Sequence, residues 1–75
     1  MTAEELTARA KVAYDDPVYG QAWQETLRAL CDVDPKTVRR WLYGGYAVPG
    51  AVSAMVKAHH KLYRLGFNPL TGAPL

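Results

Sequence analysis

The sequence predicts a compact all-α domain built from four helices. Apolar residues recur at spacings of three and four in four separate segments, which is typical of amphipathic helices. Helix-starting and helix-ending residues separate these segments, and no stretch alternates as a strand would. A chain of 75 residues is long enough for one hydrophobic core only. We therefore expect a single domain over residues 1–66 and an irregular C-terminal tail over residues 67–75.

The first two helices are predicted over residues 2–14 and 21–31. Thr2 is placed to cap the first helix, and Glu5 completes a capping box three residues later. Asp15-Asp16-Pro17 ends this helix, because a proline disfavours the helical conformation of the residue before it. The second helix follows a turn at Gly20. Its predicted core face consists of Trp23, Leu27, Leu30 and Cys31.

The third and fourth helices are predicted over residues 35–43 and from about 49 to 65. Asp34 supplies an N-cap side chain, and Pro35 occupies the first helical position, where its missing N–H costs nothing. Gly44-Gly45 ends the third helix, and Gly66 follows the fourth. The predicted apolar face of the third helix consists of Val38, Trp41 and Leu42. That of the fourth consists of Val52, Met55, Val56, either His59 or Ala58, Leu62 and Tyr63.

Charge is divided unevenly along the chain. Up to residue 34 there are seven acids and three bases, which gives a net charge of −4. From residue 35 onward there are six bases and no acid, which gives +6. Such an asymmetry indicates a surface suited to a polyanion, of which DNA is the commonest in a cytoplasm.

The segment of about residues 21–43 predicts a helix-turn-helix, because only three residues, 32–34, separate its two helices. We expect its second helix to enter the major groove, since arginine bonds guanine bidentately. The free N–H groups at the start of that helix are expected to favour a phosphate. The predicted base contacts are Lys36, Arg39 and Arg40, and the predicted DNA-backbone contacts are Gln24, Thr37 and Tyr43.

Two runs of residues carry a family resemblance: Y-G-x-x-W-Q at residues 19–24 with Leu27 after it, and V-D-P-K-T-V-R-R-W-L-x-G from Val33. Over about residues 19–65 the chain resembles the Cro/repressor-type (lambda-repressor-like) helix-turn-helix family of phage and bacterial regulators. The resemblance implies a transcriptional repressor that binds a palindromic operator as a twofold dimer. Two positions depart from the family pattern. Arg28 stands where a small residue is usual, and Asp32 stands where the turn usually begins with glycine.

Dimerisation is expected because one small domain contacts too few base pairs for useful specificity. The predicted dimer surface lies on the fourth helix and the tail, with Met55, Leu62, Tyr63 and Phe67 as contacts. Two alternatives to a dedicated repressor stay open. One is an antitoxin-type regulator that also binds a toxin, and the other is a protein–protein adaptor or inhibitor of phage origin that does not bind DNA.

We expect no enzymatic activity, cofactor or metal site, since the sequence lacks a serine–histidine–acid or glycine-rich phosphate arrangement. His59 and His60 are adjacent, so on a helix they point about 100° apart and do not chelate one ion well. The single Cys31 excludes an internal disulfide. No stretch approaches the roughly 18 apolar residues of a membrane span, and Glu4 and Glu5 interrupt any signal pattern. A cytoplasmic protein is therefore expected.

Overall fold

The computed structural model describes residues 1–14 and 23–75. Within these ranges the chain forms four α-helices and no β-strand, which confirms the all-α class. The helices are α1 (Ala3–Tyr14), α2 (Trp23–Cys31), α3 (Pro35–Tyr43) and α4 (Gly50–Arg64). The predicted helix end at Asp15-Asp16-Pro17, the turn at Gly20 and the helix start at residue 21 lie outside the described residues.

The helix ends follow the capping residues of the sequence. The Thr2 hydroxyl accepts a hydrogen bond from the Glu5 backbone N–H at 3.1 Å, which is one half of the predicted capping box. At the start of α3, the Asp34 carboxylate accepts from the Lys36 N–H at 2.9 Å. Gly66, with φ of 93°, turns the chain away after α4. A left-handed conformation of this kind favours glycine, as the sequence predicts.

Helix α1 lies at the centre of the packing and contacts each of the other three helices. The buried core consists of Leu6, Ala10, Ala13 and Tyr14 from α1, Leu27 from α2, Val38, Trp41 and Leu42 from α3, and Val56 from α4. The radius of gyration is 11.8 Å, close to the roughly 11 Å expected for a folded domain of this length. The chain is therefore compact.

The predicted core face of α2 is wrong at Leu30, which is 40% exposed. Helix α2 contacts both α1 and α3, and its burial is concentrated at Thr26 and Leu27. Leu30, in the last turn, extends beyond the core. Cys31 is only partly buried, although it packs against the core. Leu62 and Tyr63 on α4 are likewise more exposed than an apolar core face requires.

The tail after α4 contains neither helix nor strand, yet it closes on itself. An isolated β-bridge pairs Phe67 with Pro74. The Asn68 N–H donates to the Ala73 carbonyl at 2.7 Å, and the Leu75 N–H donates to the Gly66 carbonyl at 2.9 Å. The tail thus forms a small loop held by backbone hydrogen bonds. No helix in the described ranges has both the length and the apolar character needed to cross a membrane.

Candidate nucleic-acid interface

Helix α3 has two opposite faces. Val38, Trp41 and Leu42 are buried against the rest of the domain. On the other side lie four exposed side chains, Lys36, Arg39, Arg40 and Tyr43, the last of them 74% exposed. Spacings of three, four and seven residues keep these four side chains on one side of a helix with 3.6 residues per turn. We call this set the α3 basic face.

The turn between α2 and α3 is short and tightly bonded. The Val33 N–H donates to the Arg28 carbonyl at 3.3 Å, and the Val33 side chain packs against the core. Asp32 has φ of 51°, a left-handed conformation that favours glycine. Asp32 adopts this conformation at lower cost than most residues do. Aspartate is thus tolerated as the first of the three residues that connect α2 to α3.

The large Arg28 side chain is accommodated in α2 because it extends along the α2–α3 turn and forms hydrogen bonds there. Its Nη2 and Nε donate to one Glu25 carboxylate oxygen at 2.6 and 3.0 Å, and its Nη1 donates to the Val33 carbonyl at 3.3 Å. The hydrogen bond from Arg28 lowers the pKa of Glu25 below its ordinary value. A large residue at this position therefore braces the end of α2 and the turn without separating the two helices.

The cations of α3 are available to a ligand. Among the described residues, Arg28 forms the one ion pair of the α2–α3 region, and Lys36, Arg39 and Arg40 form none. The Arg40 guanidinium carbon lies 5.9 Å from the centre of the Tyr46 ring, within the range of a cation–π contact. This contact orients Arg40 without neutralising its charge.

Two of the predicted DNA-backbone residues are brought together and the third is set apart. The Gln24 side-chain amide donates to the Tyr43 hydroxyl at 3.4 Å, so the start of α2 meets the end of α3. Thr37 is half-buried and lies on the flank of α3, roughly 100° around the helix from Lys36. Arg39 borders a cavity of about 170 Å³ between the two helices, beside Gln24, Glu25 and Arg28.

The expectation that the start of α3 offers free N–H groups to a phosphate is wrong. Pro35 has no N–H, the Lys36 N–H is taken by the Asp34 carboxylate, and the Thr37 N–H donates to the Asp34 carbonyl at 2.9 Å. Asp34 itself is exposed and places a negative charge at this end. Any affinity of α3 for phosphate therefore comes from side chains rather than from the helix terminus.

The adjacent histidines have separate surroundings. The Tyr14 hydroxyl and Nδ1 of His59 lie 2.6 Å apart and share a hydrogen bond across α1 and α4. Burial raises the pKa of Tyr14 and lowers the pKa of His59, so it favours the neutral form of both groups. No group of metal-binding side chains is found in the part of the chain that the structure describes. Sequence reasoning missed this pair, because the two residues are 45 positions apart.

The predicted dimer contacts divide into two kinds. Met55 is partly buried and packs against the core of its own domain. Leu62, Tyr63 and Phe67 are between 37% and 39% exposed. The Phe67 N–H donates to the Leu62 carbonyl at 3.0 Å, which holds the start of the tail against the end of α4. These three residues thus expose apolar side chains near the end of α4 and the start of the tail.

Comparison with protein-family models, with curated proteins and with solved structures finds no match to this chain. The functional assignment therefore depends on the geometry and chemistry of the residues described above.

Proposed function

We propose that the chain is a sequence-specific double-stranded DNA-binding protein that represses transcription as a dimer on a palindromic operator. In this proposal α2 and α3 form a helix-turn-helix of the Cro/repressor type, and α3 is the recognition helix. The observation that carries it is the α3 basic face. Three exposed cations, unpaired with any described acid, lie on the side of α3 that points away from its buried residues.

The dimensions of α3 suit the major groove. Nine residues give a helix about 13 Å long, and a helix with its side chains is roughly 10–12 Å across, against a groove about 12 Å wide. Arg39 and Arg40 are then base-contacting residues, because each guanidinium can bond both acceptors on guanine. Lys36 joins them as a third base contact. Gln24, Thr37 and Tyr43 contact the phosphate backbone at the edges.

A dimer supplies the specificity that one domain lacks. Twofold-related recognition helices about one helical turn of DNA apart would contact a palindrome, and each half-site would add its own discrimination. The exposed apolar residues Leu62, Tyr63 and Phe67 support the end of α4 and the tail as the dimer surface, with Met55 contributing at its inner edge.

Selection from a random pool of DNA duplexes tests the proposal. The purified protein is incubated with the pool at about 150 mM salt, and the bound duplexes are amplified and sequenced. We expect an enriched palindrome with half-sites about ten base pairs apart. Arg39→Ala should lose or relax that preference, whereas Lys11→Ala removes an exposed charge from α1 and should leave it intact.

Failure to enrich any sequence would refute the proposal, provided that the protein used was folded. A protein–protein adaptor or inhibitor would then become the better interpretation of the α3 basic face. An enriched palindrome together with a stable protein partner would instead indicate the antitoxin-type regulator.

A further inference from the structure

A second basic surface lies away from α3, between α1 and α4. A cavity of about 560 Å³ opens there, lined by Arg9, Lys57, His60, Lys61, Arg64 and Leu65. Lys57, Lys61 and Arg64 follow one another at spacings of four and three, so they share one side of α4. Arg9 faces them from α1. We call this site the α1–α4 cleft.

The cleft concentrates positive charge, and no acidic side chain among the described residues lines it. Four of its six lining residues are arginine or lysine, a fifth is histidine, and none is a carboxylate. None of these cations forms an ion pair within the described ranges. Like charges drawn together by helix packing repel one another, and a multivalent anion between them relieves that repulsion. The cleft therefore has the electrostatics of an anion site.

We propose that the α1–α4 cleft binds a chain of linked phosphate groups. A volume of about 560 Å³ lies in the range of roughly 300–1,000 Å³ typical of small-ligand sites, which is more than a single phosphate requires. Arginine forks and lysine ammonium groups are the side chains that proteins use for phosphate oxygens. Cations on two helices can hold successive phosphates at once, while Leu65 closes one edge without charge.

This site is independent of the proposed DNA-binding face. It shares no residue with the α3 basic face. On α4, Met55 and Leu62 lie roughly opposite Lys57 and Arg64 by helical geometry, so these two proposed dimer contacts lie away from the cleft. Its test therefore needs neither the operator nor the dimer.

Titration calorimetry with inorganic triphosphate, near physiological salt, tests the proposal on the full chain. We expect saturable binding with one triphosphate per chain. Lys61→Glu should weaken it by at least about tenfold, because a charge-assisted contact becomes a repulsion. Lys11→Glu is the matched control, since both lysines lie in the last turn of their helices and the charge change is the same. It should change the affinity by less than about twofold, because Lys11 does not line the cleft.

Circular dichroism checks that the variants remain folded. If Lys61→Glu does not fold, Lys57→Gln against Lys11→Gln makes the same comparison with a smaller change. The proposal is overturned if wild type shows no saturable binding, or if the cleft variant and its control weaken binding equally, since that indicates only a general effect of net charge.

A competition arm distinguishes two sources of the phosphates. Duplex DNA of unrelated sequence is added to the protein saturated with triphosphate, using Arg39→Ala so that α3 contributes less. Displacement of triphosphate identifies the nucleic-acid backbone as the source. Retention of triphosphate identifies a free oligophosphate. Either result supports linked phosphates as the ligand.

Discussion

The α3 basic face and the α1–α4 cleft are both basic, yet they differ in shape and in surroundings. The α3 basic face carries three exposed cations on the outer side of one helix, with exposed Asp34 at its start. The cleft gathers four arginine and lysine side chains from two helices around one cavity, with no acid among them. By charge alone the cleft is the stronger anion site. The side chains of the α3 basic face, however, are the ones that extend outward from a single capped helix, as contact with a groove requires.

The comparison shows that positive charge along a sequence does not locate a single binding surface. The +6 of residues 35–75 is divided between α3 and α4, and packing separates the two groups. Arg9, from the acidic half of the chain, joins the second group. An exposed helix face suits a groove in a larger molecule, whereas a cavity suits a ligand that enters it.

Substitution of a buried residue on α3 should have the largest effect, and that effect is on stability. Trp41 is 6% exposed and fills the core beneath the basic face. Trp41→Ala should lower the free energy of unfolding by about 3–5 kcal/mol, measured by denaturant titration, because a buried aromatic side chain leaves a cavity. Tyr43→Ala on the exposed side should stay within about 0.5 kcal/mol of wild type. Similar losses for both variants would mean that the two sides of α3 are misassigned.

Loss of a proposed base contact on α3 should affect DNA binding and not folding. Arg39→Ala should weaken affinity for the selected duplex by about 1–3 kcal/mol, or roughly 5- to 150-fold, measured by fluorescence anisotropy. Its helical content and its triphosphate affinity should match wild type. The matching change in the cleft, Lys61→Ala, should weaken triphosphate binding and should affect the duplex less than Arg39→Ala does. If the two variants weakened triphosphate binding equally, the two surfaces would be one continuous site.

Removal of the α3 cap should have a moderate effect on stability. Asp34→Ala breaks the 2.9 Å hydrogen bond to the Lys36 N–H and should cost about 0.5–2 kcal/mol in thermal or denaturant unfolding. Asp34→Asn retains an acceptor oxygen and should lose less than half of that amount. Equal losses in the two variants would show that the negative charge, rather than the cap hydrogen bond, stabilises α3.

The smallest expected effect is a pH dependence of stability that comes from the part-buried Tyr14–His59 pair between α1 and α4. Burial lowers the pKa of His59 below its ordinary value of 6.5, so the unfolded chain takes up this proton at a higher pH than the folded chain does. The corresponding stability is present above pH 6.5 and is lost as the pH falls through the folded pKa. Thermal unfolding between about pH 7.5 and 5 should therefore show wild type losing more stability than His59→Gln. Parallel curves would contradict this assignment.

Sequence reasoning succeeded where local chemistry decides the outcome. Thr2, Asp34 and Gly66 mark helix ends through their own backbone preferences and side-chain oxygens, so those ends were predictable. The buried side of α3 was predictable for a similar reason, since Val38, Trp41 and Leu42 recur at helical spacing.

The features that the sequence did not predict depend on contacts between distant parts of the chain. Leu30 has the spacing of a core residue, but nothing in the sequence shows that it extends beyond the core while its neighbour Cys31 still packs against it. Arg9 and Arg64 line one cavity, and Tyr14 and His59 share a hydrogen bond, only because α1 packs against α4. The Arg28 bond to Val33 depends on the conformation of the turn. No local pattern encodes these pairings.

Chemical-shift mapping with duplex DNA tests the central claim most directly, because it identifies which of the two basic surfaces contacts the double helix. The isotope-labelled protein is titrated with the selected duplex, and shifts of backbone and side-chain N–H signals are followed. We predict that the largest changes fall on Lys36, Arg39 and Arg40, with smaller ones at Gln24 and Tyr43. Changes concentrated at Arg9, Lys57, Lys61 and Arg64, with α3 unaffected, would contradict the account and assign DNA binding to the α1–α4 cleft.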